Sequence, residues 1–255
     1  MSQTRFPDLE GASVFITGGG SGIGAALTEG FLRQGARTAF VQRSDAGAFA
    51  DSMEDATGNR PLALRGDITD LATLRGALEA AAEANGPVSV LVNNAANDQR
   101  HATLDVDEAY WDWCQAINLK SYFFAAQAVL PGMQARGGGT IVNMSSISYM
   151  LGNAGYPAYT AANGAITALT RSLAREFGPD RIRVNALAPG WVLTEKQLEM
   201  WANEENLAAH LERMCLKEHL RPSDMVDPVL FLASSASTVM TGQLIAVDGG
   251  AVVTG

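Results

Sequence analysis

The chain has 255 residues, of which 47% are hydrophobic and 18% are charged, and it carries a net charge of −9. This composition is that of an ordinary globular protein, and the length allows a large hydrophobic core in one domain or two. The acidic balance argues against nucleic acid as a partner, because a surface that binds phosphates needs an excess of basic residues. No run approaches the roughly 18 apolar residues of a membrane span.

Seven short runs with strand character alternate with longer segments of helical spacing. Apolar residues recur every 3.6 residues in the intervening segments, such as Ile23–Gln34 and Leu71–Ala84. Such alternation predicts βαβ units and a parallel sheet covered on both faces. No linker or repeat divides the chain, so one domain over residues 1–255 is expected. The predicted strands are SVFIT (13–17), RTAFV (37–41), LALRG (62–66), VSVLV (88–92), TIVNM (140–144), IRVNAL (182–187) and QLIAV (243–247).

The first predicted strand runs into TGGGSGIG, residues 17–24, and then directly into a helical pattern. Glycines such as Gly18, Gly22 and Gly24 let a backbone approach a pyrophosphate, and a helix N-terminus offers free N–H groups and the positive end of a dipole. A glycine-rich string alone is a weak signal, and a plain tight turn is the alternative. Its place between a strand and a helix favours a dinucleotide site.

The end of the second predicted strand reads FVQRSD, residues 40–45. An acidic residue there would hydrogen-bond the adenosine ribose, whereas an arginine would accommodate a ribose 2′-phosphate. Gln42 stands where an acid is expected, and the guanidinium of Arg43 can hold a phosphate through two hydrogen bonds. The sequence therefore predicts NADP as the preferred cofactor. Asp45 comes late for a ribose contact, but use of NAD as well stays open.

A tyrosine and an asparagine share one face of a later helical run. In PAYTAAN, residues 157–163, Tyr159 and Asn163 are four residues apart, which is one helical turn. Tyr159 is either core filler or an acid–base catalyst. A catalytic phenol is expected to have a cation one turn on, because a positive charge favours the phenolate. This chain has an amide there.

Several motifs occur in the order and spacing of the short-chain dehydrogenase/reductase family. They are TGGGSGIG, GDITD with Asp67, LVNNAAN, INLK with Asn118, VNMSS, Tyr159 and NALAPGWVLTE. The chain resembles this family from about residue 10 to the VDGG near the C-terminus. Two stretches, NNAANDQRH and GGTIVNMSSISYMLG, are most similar to its bacterial aldose 1-dehydrogenases.

The resemblance implies an α/β fold: a single Rossmann-type, doubly wound domain with a central parallel seven-stranded sheet and a helical substrate lid at about residues 190–220. It implies oxidation of the anomeric hydroxyl of an aldose, such as L-arabinose, D-xylose or D-galactose, to the aldonolactone. It also implies a homotetramer in which the helices around 107–134 and 158–177 pair between subunits.

The resemblance also implies roles for single residues. Tyr159 would be the general acid–base, Ser146 would hydrogen-bond the reacting oxygen, and Asn118 would anchor a water of the proton relay. Asp67 would hold the adenine amino group, and the segment 189–194 would hold the nicotinamide carboxamide. The implied catalytic set is Asn118, Ser146, Tyr159 and Asn163, and the implied cofactor set is Gly18, Ser21, Gly22, Ile23, Gly24, Gln42, Arg43, Asp67, Ile68, Asn94, Ala95, Tyr159, Asn163, Pro189, Gly190, Val192 and Thr194.

The chain departs from the family pattern at one position. The pattern is tyrosine, three residues, then lysine, and here the lysine position is Asn163. Asparagine can hydrogen-bond the nicotinamide ribose as the lysine would, but it has no charge with which to lower the pKa of the tyrosine. A phenol with an ordinary pKa of about 10 is a poor base at neutral pH. Three explanations stay open: a substitution made to trap complexes, a natural residue compensated elsewhere, or a chain that binds cofactor without turnover.

The substrate is expected outside the carboxyl ends of the strands. The loop after the fourth strand supplies a polar cluster, NDQRH at 97–101, and a charged helical insertion at 194–220 could close over it. A sugar site needs groups that bind vicinal hydroxyls and an aromatic face. The alternatives are a solvated loop, a core position for Trp191 and a solvated surface helix for the insertion. The predicted substrate residues are Asp98, Arg100, Ser146, Ser148, Asn153, Trp191 and Gln197.

The two cysteines, Cys114 and Cys215, match no metal spacing and are expected to be buried small hydrophobes in a reducing compartment. The three histidines show no ligand spacing, so no metal is expected. The cysteine pattern predicts a cytoplasmic protein, and the resemblance implies a small-molecule sugar as its partner, with no nucleic acid and no membrane. Two other functions stay open: a ketoreductase for a steroid or an acyl thioester, and a cofactor-binding sensor or scaffold without chemistry.

Overall fold

A computed structural model describes residues 4–253. Seven strands form one sheet in the order β3-β2-β1-β4-β5-β6-β7, and all neighbouring pairs are parallel. The predicted parallel seven-stranded sheet is confirmed, and the ends of each strand lie within two residues of the predicted ones. The strands are β1 (Ser13–Thr17), β2 (Arg37–Gln42), β3 (Leu62–Arg65), β4 (Val90–Asn93), β5 (Gly139–Met144), β6 (Ile182–Pro189) and β7 (Leu244–Val247).

Helices connect the strands and cover both faces of the sheet. The helical patterns predicted at Ile23–Gln34 and Leu71–Ala84 appear within one residue of the expected ends, as α1 and α3. In the described part of the chain the α-helices are α1 (Gly22–Arg33), α2 (Gly47–Thr57), α3 (Leu71–Asn85), α4 (Glu108–Gln115), α5 (Ser121–Ala135), α6 (Ser148–Leu151), α7 (Pro157–Phe177), α8 (Glu195–Met200), α9 (Glu204–Arg213) and α10 (Val226–Ala233).

Two hydrophobic layers lie on the two faces of the sheet. On one face, α3, α5 and α7 pack through residues such as Leu74, Met133 and Leu173. On the other face, α1 and α10 pack through residues such as Phe31 and Leu230. Each such side chain is at most 6% exposed, and full burial of one contributes about 1.5–3 kcal/mol. This double cover explains why the central strands read as continuous apolar runs.

The strand order reverses direction between β1 and β4. The chain leaves β1 toward β2 and β3 on one side and continues through β4 to β7 on the other. In open parallel sheets, ligands bind in the crevice outside the carboxyl ends of the strands at such a reversal. The glycine-rich turn after β1, the loop after β4 and the segments after β5 and β6 all start at this edge.

Two sequence expectations need correction. The insertion at 194–220 is not one long helix but two short ones, α8 and α9, because the side chain of Asn203 caps the second by accepting from Asn206 N at 2.8 Å. The chain then runs on without helix to Leu220, which pairs with Val192. The expectation of burial holds for Cys114 but is wrong for Cys215, which is exposed in this irregular segment.

Candidate active site and cofactor crevice

The glycine-rich turn accepts only glycine at several positions. Gly18 and Gly22 have φ angles of +71° and +52°, which side chains rarely adopt. A Cβ at Gly24 would collide with the carbonyl oxygen of Gly18, and one at Gly19 would collide with the ring of Phe40. The turn therefore brings bare backbone to the start of α1, as close approach to a pyrophosphate requires.

The first turn of α1 has free donors. Ser21 occupies the N-cap position in an extended conformation, but its side chain makes no capping hydrogen bond. The first backbone N–H groups of a helix lack partners within the helix, so they are available to an anion. Asn94 fastens the turn to β4, because its side-chain amide donates to the carbonyls of Thr17 and Gly18 at 3.0 and 3.1 Å. The neighbouring backbone N–H of Ala95 donates to the Thr17 hydroxyl at 3.0 Å.

The end of β2 is followed by one exposed carboxylate, that of Asp45. The side-chain amide of Gln42 donates to the hydroxyl of Ser44 at 3.1 Å, and Asp45 accepts from the backbone of Gly47 at 3.0 Å. Arg65 of β3 lies beside Gln42 in the sheet and donates to the carbonyl of Arg43 at 3.1 Å. Two arginines, Arg43 and Arg65, and one acid, Asp45, therefore lie where the adenosine ribose is expected.

The segment after β3 carries the predicted adenine contacts. One carboxylate oxygen of Asp67 accepts from the backbone and hydroxyl of Thr69 at 2.9 and 2.7 Å, which fixes the side chain. Ile68 is 5% exposed and packs into the core. The second carboxylate oxygen of Asp67 has no hydrogen bond among residues 4–253.

A cavity of about 550 Å³ opens at the carboxyl edge of the sheet, between the loop after β4 and the two lid helices α8 and α9. It brings together all seven predicted substrate residues and part of the predicted nicotinamide site. The predicted residues that line it are Ile23, Asn94, Asp98, Arg100, Ser146, Ser148, Asn153, Tyr159, Pro189, Gly190, Trp191, Val192, Thr194 and Gln197.

Other predicted residues lie outside this cavity. The glycine turn, the end of β2 and the segment after β3 line the remaining crevice, as described above, and two catalytic candidates are buried behind the cavity wall. These residues are Gly18, Ser21, Gly22, Gly24, Gln42, Arg43, Asp67, Ile68, Ala95, Asn118 and Asn163.

Tyr159 lies in the first turn of α7 and its ring reaches the cavity. Burial and the negative charge of Asp98 raise the pKa of the phenol above its usual value. Hydrogen bonding with the side chains of Ser146 and Asn163 lowers that pKa but only partly offsets the increase. No cation contributes to the shift. The phenol is therefore neutral at physiological pH.

Asn163 is 2% exposed and lies one turn after Tyr159. Its side-chain amide donates to the backbone carbonyl of Tyr159 at 2.9 Å, a local bond that asparagine often forms in a helix. The backbone carbonyl of Asn163 accepts from the hydroxyl of Ser145 at 3.1 Å. The amide thus supports the start of α7 and brings no charge to the phenol.

Asn118 lies in a π-helical turn, Ala116–Lys120, between α4 and α5. Such turns occur frequently at functional sites, since they re-aim groups out of the regular helix. Its side chain accepts from the backbone N–H of Asn97 at 2.8 Å and donates to the carbonyls of Asn97 and Cys114 at 3.1 and 2.9 Å. Asn118 therefore holds the loop after β4 in place from behind.

Asp98 connects the loop after β4 to the lid. It accepts from Lys196 Nζ at 2.9 Å and from Gln197 Nε2 at 2.6 Å, both on α8. Burial alone would raise the pKa of this carboxyl, but the hydrogen bond and charge of Lys196, together with Gln197, hold it below its usual value. Gln197 also accepts from the indole N–H of Trp191 at 2.8 Å, which fixes that ring in the wall. Trp191 thus lies in the cavity wall and not in the core.

Among the cavity residues that sequence reasoning missed, four have aromatic or ionisable side chains. Tyr156 stacks near Tyr159, with ring centroids 5.5 Å apart, and Trp201, His210 and Arg213 come from the lid. A signal existed for Tyr156, which lies one turn before Tyr159. No sequence signal pointed to the three lid residues, because a solvated surface helix can also be charged and carry scattered aromatic residues.

Two further classes of site are not found in the described part of the chain. Within residues 4–253, no group of three or more His, Cys, Asp or Glu side chains is arranged to hold a metal ion. No helix in that range has the length and apolar character needed to cross a membrane.

The parallel sheet, the bare glycine turn before α1 and a cavity with a tyrosine and a serine define an oxidoreductase site of Rossmann type. The protein-family model described as enoyl-(acyl carrier protein) reductase matches residues 18–252 of the chain. The chain belongs to the short-chain dehydrogenase/reductase family. It is therefore an oxidoreductase that uses a nicotinamide cofactor.

Relatives of the chain include sugar dehydrogenases. It is 47% identical over 252 residues to "Probable galactose dehydrogenase GalD" of Rhizobium meliloti, covering 98% of both chains. It is 44% identical over 250 residues to D-xylose 1-dehydrogenase of Caulobacter vibrioides, covering 98% of this chain and 99% of the other.

A solved structure with sugar and cofactor is also similar. The L-sorbose reductase of Gluconobacter frateurii, complexed with NADPH and L-sorbose, superposes with a TM-score of 0.88 at 27% identity, covering 97% of this chain and 99% of that one.

Proposed function

We propose that the chain oxidises the anomeric hydroxyl of an aldose to the aldonolactone with NADP, and with NAD less well. One observation carries this proposal: a single polar cavity contains Tyr159, Ser146 and the segment after β6 predicted to hold the nicotinamide. The names of the sugar dehydrogenases similar to this chain support a polyhydroxylated substrate. We further propose a cytoplasmic homotetramer that pairs its helices around 107–134 and 158–177.

The proton transfer is assigned to Tyr159. Its phenolate oxygen would take the proton of the anomeric hydroxyl, while the Ser146 hydroxyl would hydrogen-bond the same oxygen as it becomes a carbonyl. A bound nicotinamide supplies the acceptor for the hydride that leaves the anomeric carbon. Because the pKa of Tyr159 is raised, the base is scarce at neutral pH, and turnover is expected to be slow there.

The residues of the crevice fit a nicotinamide dinucleotide. The glycine turn leaves room for its pyrophosphate against the uncapped start of α1, and Asp67 has a free oxygen for the adenine amino group. At the end of β2, Arg43 and Arg65 would hold a 2′-phosphate, since the residue at the strand end, Gln42, is neutral and would not repel it.

Arg43→Ala is expected to weaken NADP binding and to leave NAD binding nearly unchanged. A charge-assisted hydrogen bond contributes roughly 1.5–3 kcal/mol, so the dissociation constant of NADP should rise about tenfold or more. Fluorescence titration with both cofactors measures this. Arg136→Ala, at the opposite edge of the sheet, serves as a matched control for net charge. Equal losses for NADP and NAD would refute the assignment of Arg43.

Asp98→Ala is expected to raise KM for the aldose without changing the affinity for NADP. The carboxylate receives two hydrogen bonds from α8, so its removal frees the lid and leaves Lys196 unpaired. The loss of such bonds costs about 1.5–3 kcal/mol each, and a rise of roughly tenfold or more in KM should appear in steady-state kinetics. Asp98→Asn, which keeps one acceptor oxygen, should lose less. Unaltered sugar kinetics in both variants would show that Asp98 belongs to a solvated loop with no role in sugar binding.

A panel of aldoses with NADP and NAD, from pH 7 to 10, tests the proposal as a whole. Formation of reduced cofactor with one or more aldoses, faster at high pH, is the expected result. A specific observation favours a second candidate function, a cofactor-binding protein without turnover: no cation acts on the Tyr159 phenol. Cofactor binding with no reduction across the panel would favour that candidate. A ketoreductase for an apolar steroid suits this cavity less, because its wall carries Asp98, Arg100, Asn153 and Gln197.

A further inference from the structure

The guanidinium of Arg100 lies in the cavity against two aromatic rings and has no acidic partner. Its Cζ atom is 3.8 Å from the ring centroid of Tyr156 and 5.4 Å from that of Trp201. The four ion pairs found among residues 4–253 do not include it, and no side-chain hydrogen bond of Arg100 is found in that range. A half-buried cation in a ligand cavity thus keeps its donors unused.

The aromatic contacts orient this cation. Contact with aromatic rings restricts the guanidinium, and none of its N–H groups has a hydrogen-bond acceptor among residues 4–253. Tyr156, 5% exposed, is itself held by the side chain of Asn153, which donates to its hydroxyl at 3.3 Å. A planar fork with free donors is suited to a carboxylate, which it binds through two parallel hydrogen bonds.

The charges on the cavity wall favour an anion. The wall holds one acidic residue, Asp98, which is already paired with Lys196. It also holds a second guanidinium, Arg213, which has no ion pair among residues 4–253. Burial, His219 and the charge of Arg213 lower the pKa of His210, against the opposing charge of Asp248, so the imidazole is neutral. The cavity is therefore positive in a chain whose net charge is −9.

The position of Arg100 relative to Tyr159 indicates which end of a sugar it would meet. The ring centroid of Tyr156 lies 5.5 Å from that of Tyr159, and the Cζ atom of Arg100 lies 3.8 Å from the same Tyr156 centroid. The guanidinium of Arg100 and the ring of Tyr159 thus both lie near the Tyr156 ring. The phenol of Tyr159 is the group that would act at the anomeric carbon. A pyranose whose anomeric carbon lies at the Tyr159 phenol would extend from it into the cavity that Arg100 also lines, so its remote end, and not its reacting carbon, is the part that can meet the guanidinium.

We propose that the preferred substrates are aldoses with a carboxylate at the carbon remote from the anomeric centre, the hexuronic acids, and that Arg100 binds this carboxylate. The inference rests on the proposed oxidation of the anomeric carbon. In that reaction the anomeric carbon is oxidised to the lactone carbonyl, its hydride goes to the oxidised nicotinamide and the hydroxyl proton goes to Tyr159. The remote carboxylate only binds and takes no part in bond making or breaking.

A pair of sugars that differ at one carbon tests this inference. D-Galacturonate and D-galactose have the same ring stereochemistry, but only the first has a carboxylate at the sixth carbon. Binding is measured by titration calorimetry with NADPH present, since the reduced cofactor prevents oxidation of the sugar. D-Galacturonate is expected to bind about tenfold or more tightly than D-galactose, and high salt should reduce the difference.

Substitutions at Arg100 test whether its guanidinium causes the tighter binding of D-galacturonate. Arg100→Gln should weaken the binding of D-galacturonate about 10- to 100-fold and that of D-galactose less than about threefold. Arg100→Lys, which keeps the charge but loses the planar fork, should fall between the two. Arg136→Gln, with the same loss of net charge at the opposite edge of the sheet, should behave as the unmodified chain. Circular dichroism of each variant verifies that it is folded.

Three other outcomes would each contradict a different part of the account. If D-galacturonate binds no more tightly than D-galactose to the unmodified chain, the inference is wrong while the oxidation of neutral aldoses stands. If Arg100→Gln weakens both sugars equally, Arg100 serves hydroxyl groups and the carboxylate has no dedicated site. If neither sugar binds, the proposed function itself fails.

Discussion

Asn163→Lys is expected to raise kcat at pH 7 by roughly 100-fold and to move the rise of activity to lower pH. The active form of Tyr159 is the phenolate, and burial raises the pKa of this phenol above its usual value, so activity of the unmodified chain should climb as pH rises toward and beyond 10. A lysine ammonium one turn away stabilises the phenolate and lowers the pKa. A shift of two units corresponds to about 2.7 kcal/mol and to about 100-fold more base at neutral pH.

The pH dependence of kcat in both chains measures this shift. Asn163→Met is the matched control, because methionine has nearly the length of lysine and no charge. It should lose the local amide bond to the carbonyl of Tyr159. Because hydrogen bonding with Asn163 lowers the pKa of the phenol, this control should move the pH profile to higher pH if it moves it at all, opposite to the lysine variant. If the lysine variant keeps the profile of the unmodified chain, another group already ionises the phenol and the role given to the missing charge is wrong.

Tyr159→Phe is expected to abolish measurable turnover both in the otherwise unmodified chain and in the Asn163→Lys variant. Phenylalanine keeps the ring against Tyr156 but removes the oxygen that would take the proton. General acid–base catalysis contributes about 10²- to 10⁴-fold, and this chain starts with little activity at neutral pH. Reduced cofactor formed per enzyme, measured in the Asn163→Lys background where the signal is largest, gives the effect.

The thermal midpoint of the Tyr159→Phe chain should stay close to that of the unmodified chain, which separates loss of chemistry from loss of fold. Turnover that survives the substitution would mean that Tyr159 is not the base. The neutral imidazole of His210, which lines the same cavity, would then be the next group to substitute.

The sheet could be predicted from the sequence because each strand is recognisable from its own short run of residues. A parallel sheet buried on both faces requires short apolar runs such as VFIT and VLVN, and these stand out between helical segments. The glycine turn was equally readable, since only glycine tolerates the φ of Gly18 and the close approach at Gly24. The resemblance to a known family then indicated that residues far apart in the sequence, such as Asn118 and Tyr159, belong to one catalytic set.

The cavity wall was only partly predictable, because its contacts join residues about a hundred positions apart. Nothing local in the sequence reveals that Asp98 bonds Lys196 and Gln197, or that Arg100 stacks on Trp201. The break between α8 and α9 depends on a cap by Asn203 that the charged, helical composition concealed. The same composition gave no reason to expect Cys215 at the surface.

The transfer of isotope from the anomeric carbon tests the central claim most directly. D-Galactose and D-galacturonate, each with deuterium at the anomeric carbon, are incubated at pH 10 with NADP and the Asn163→Lys chain, and the products are analysed by NMR. The account predicts one deuterium in the nicotinamide ring of each reduced cofactor and one aldonolactone, or its hydrolysed acid, per reduced cofactor. Reduced cofactor without deuterium would show that another carbon is oxidised, and the absence of any reduced cofactor would contradict the proposed oxidation.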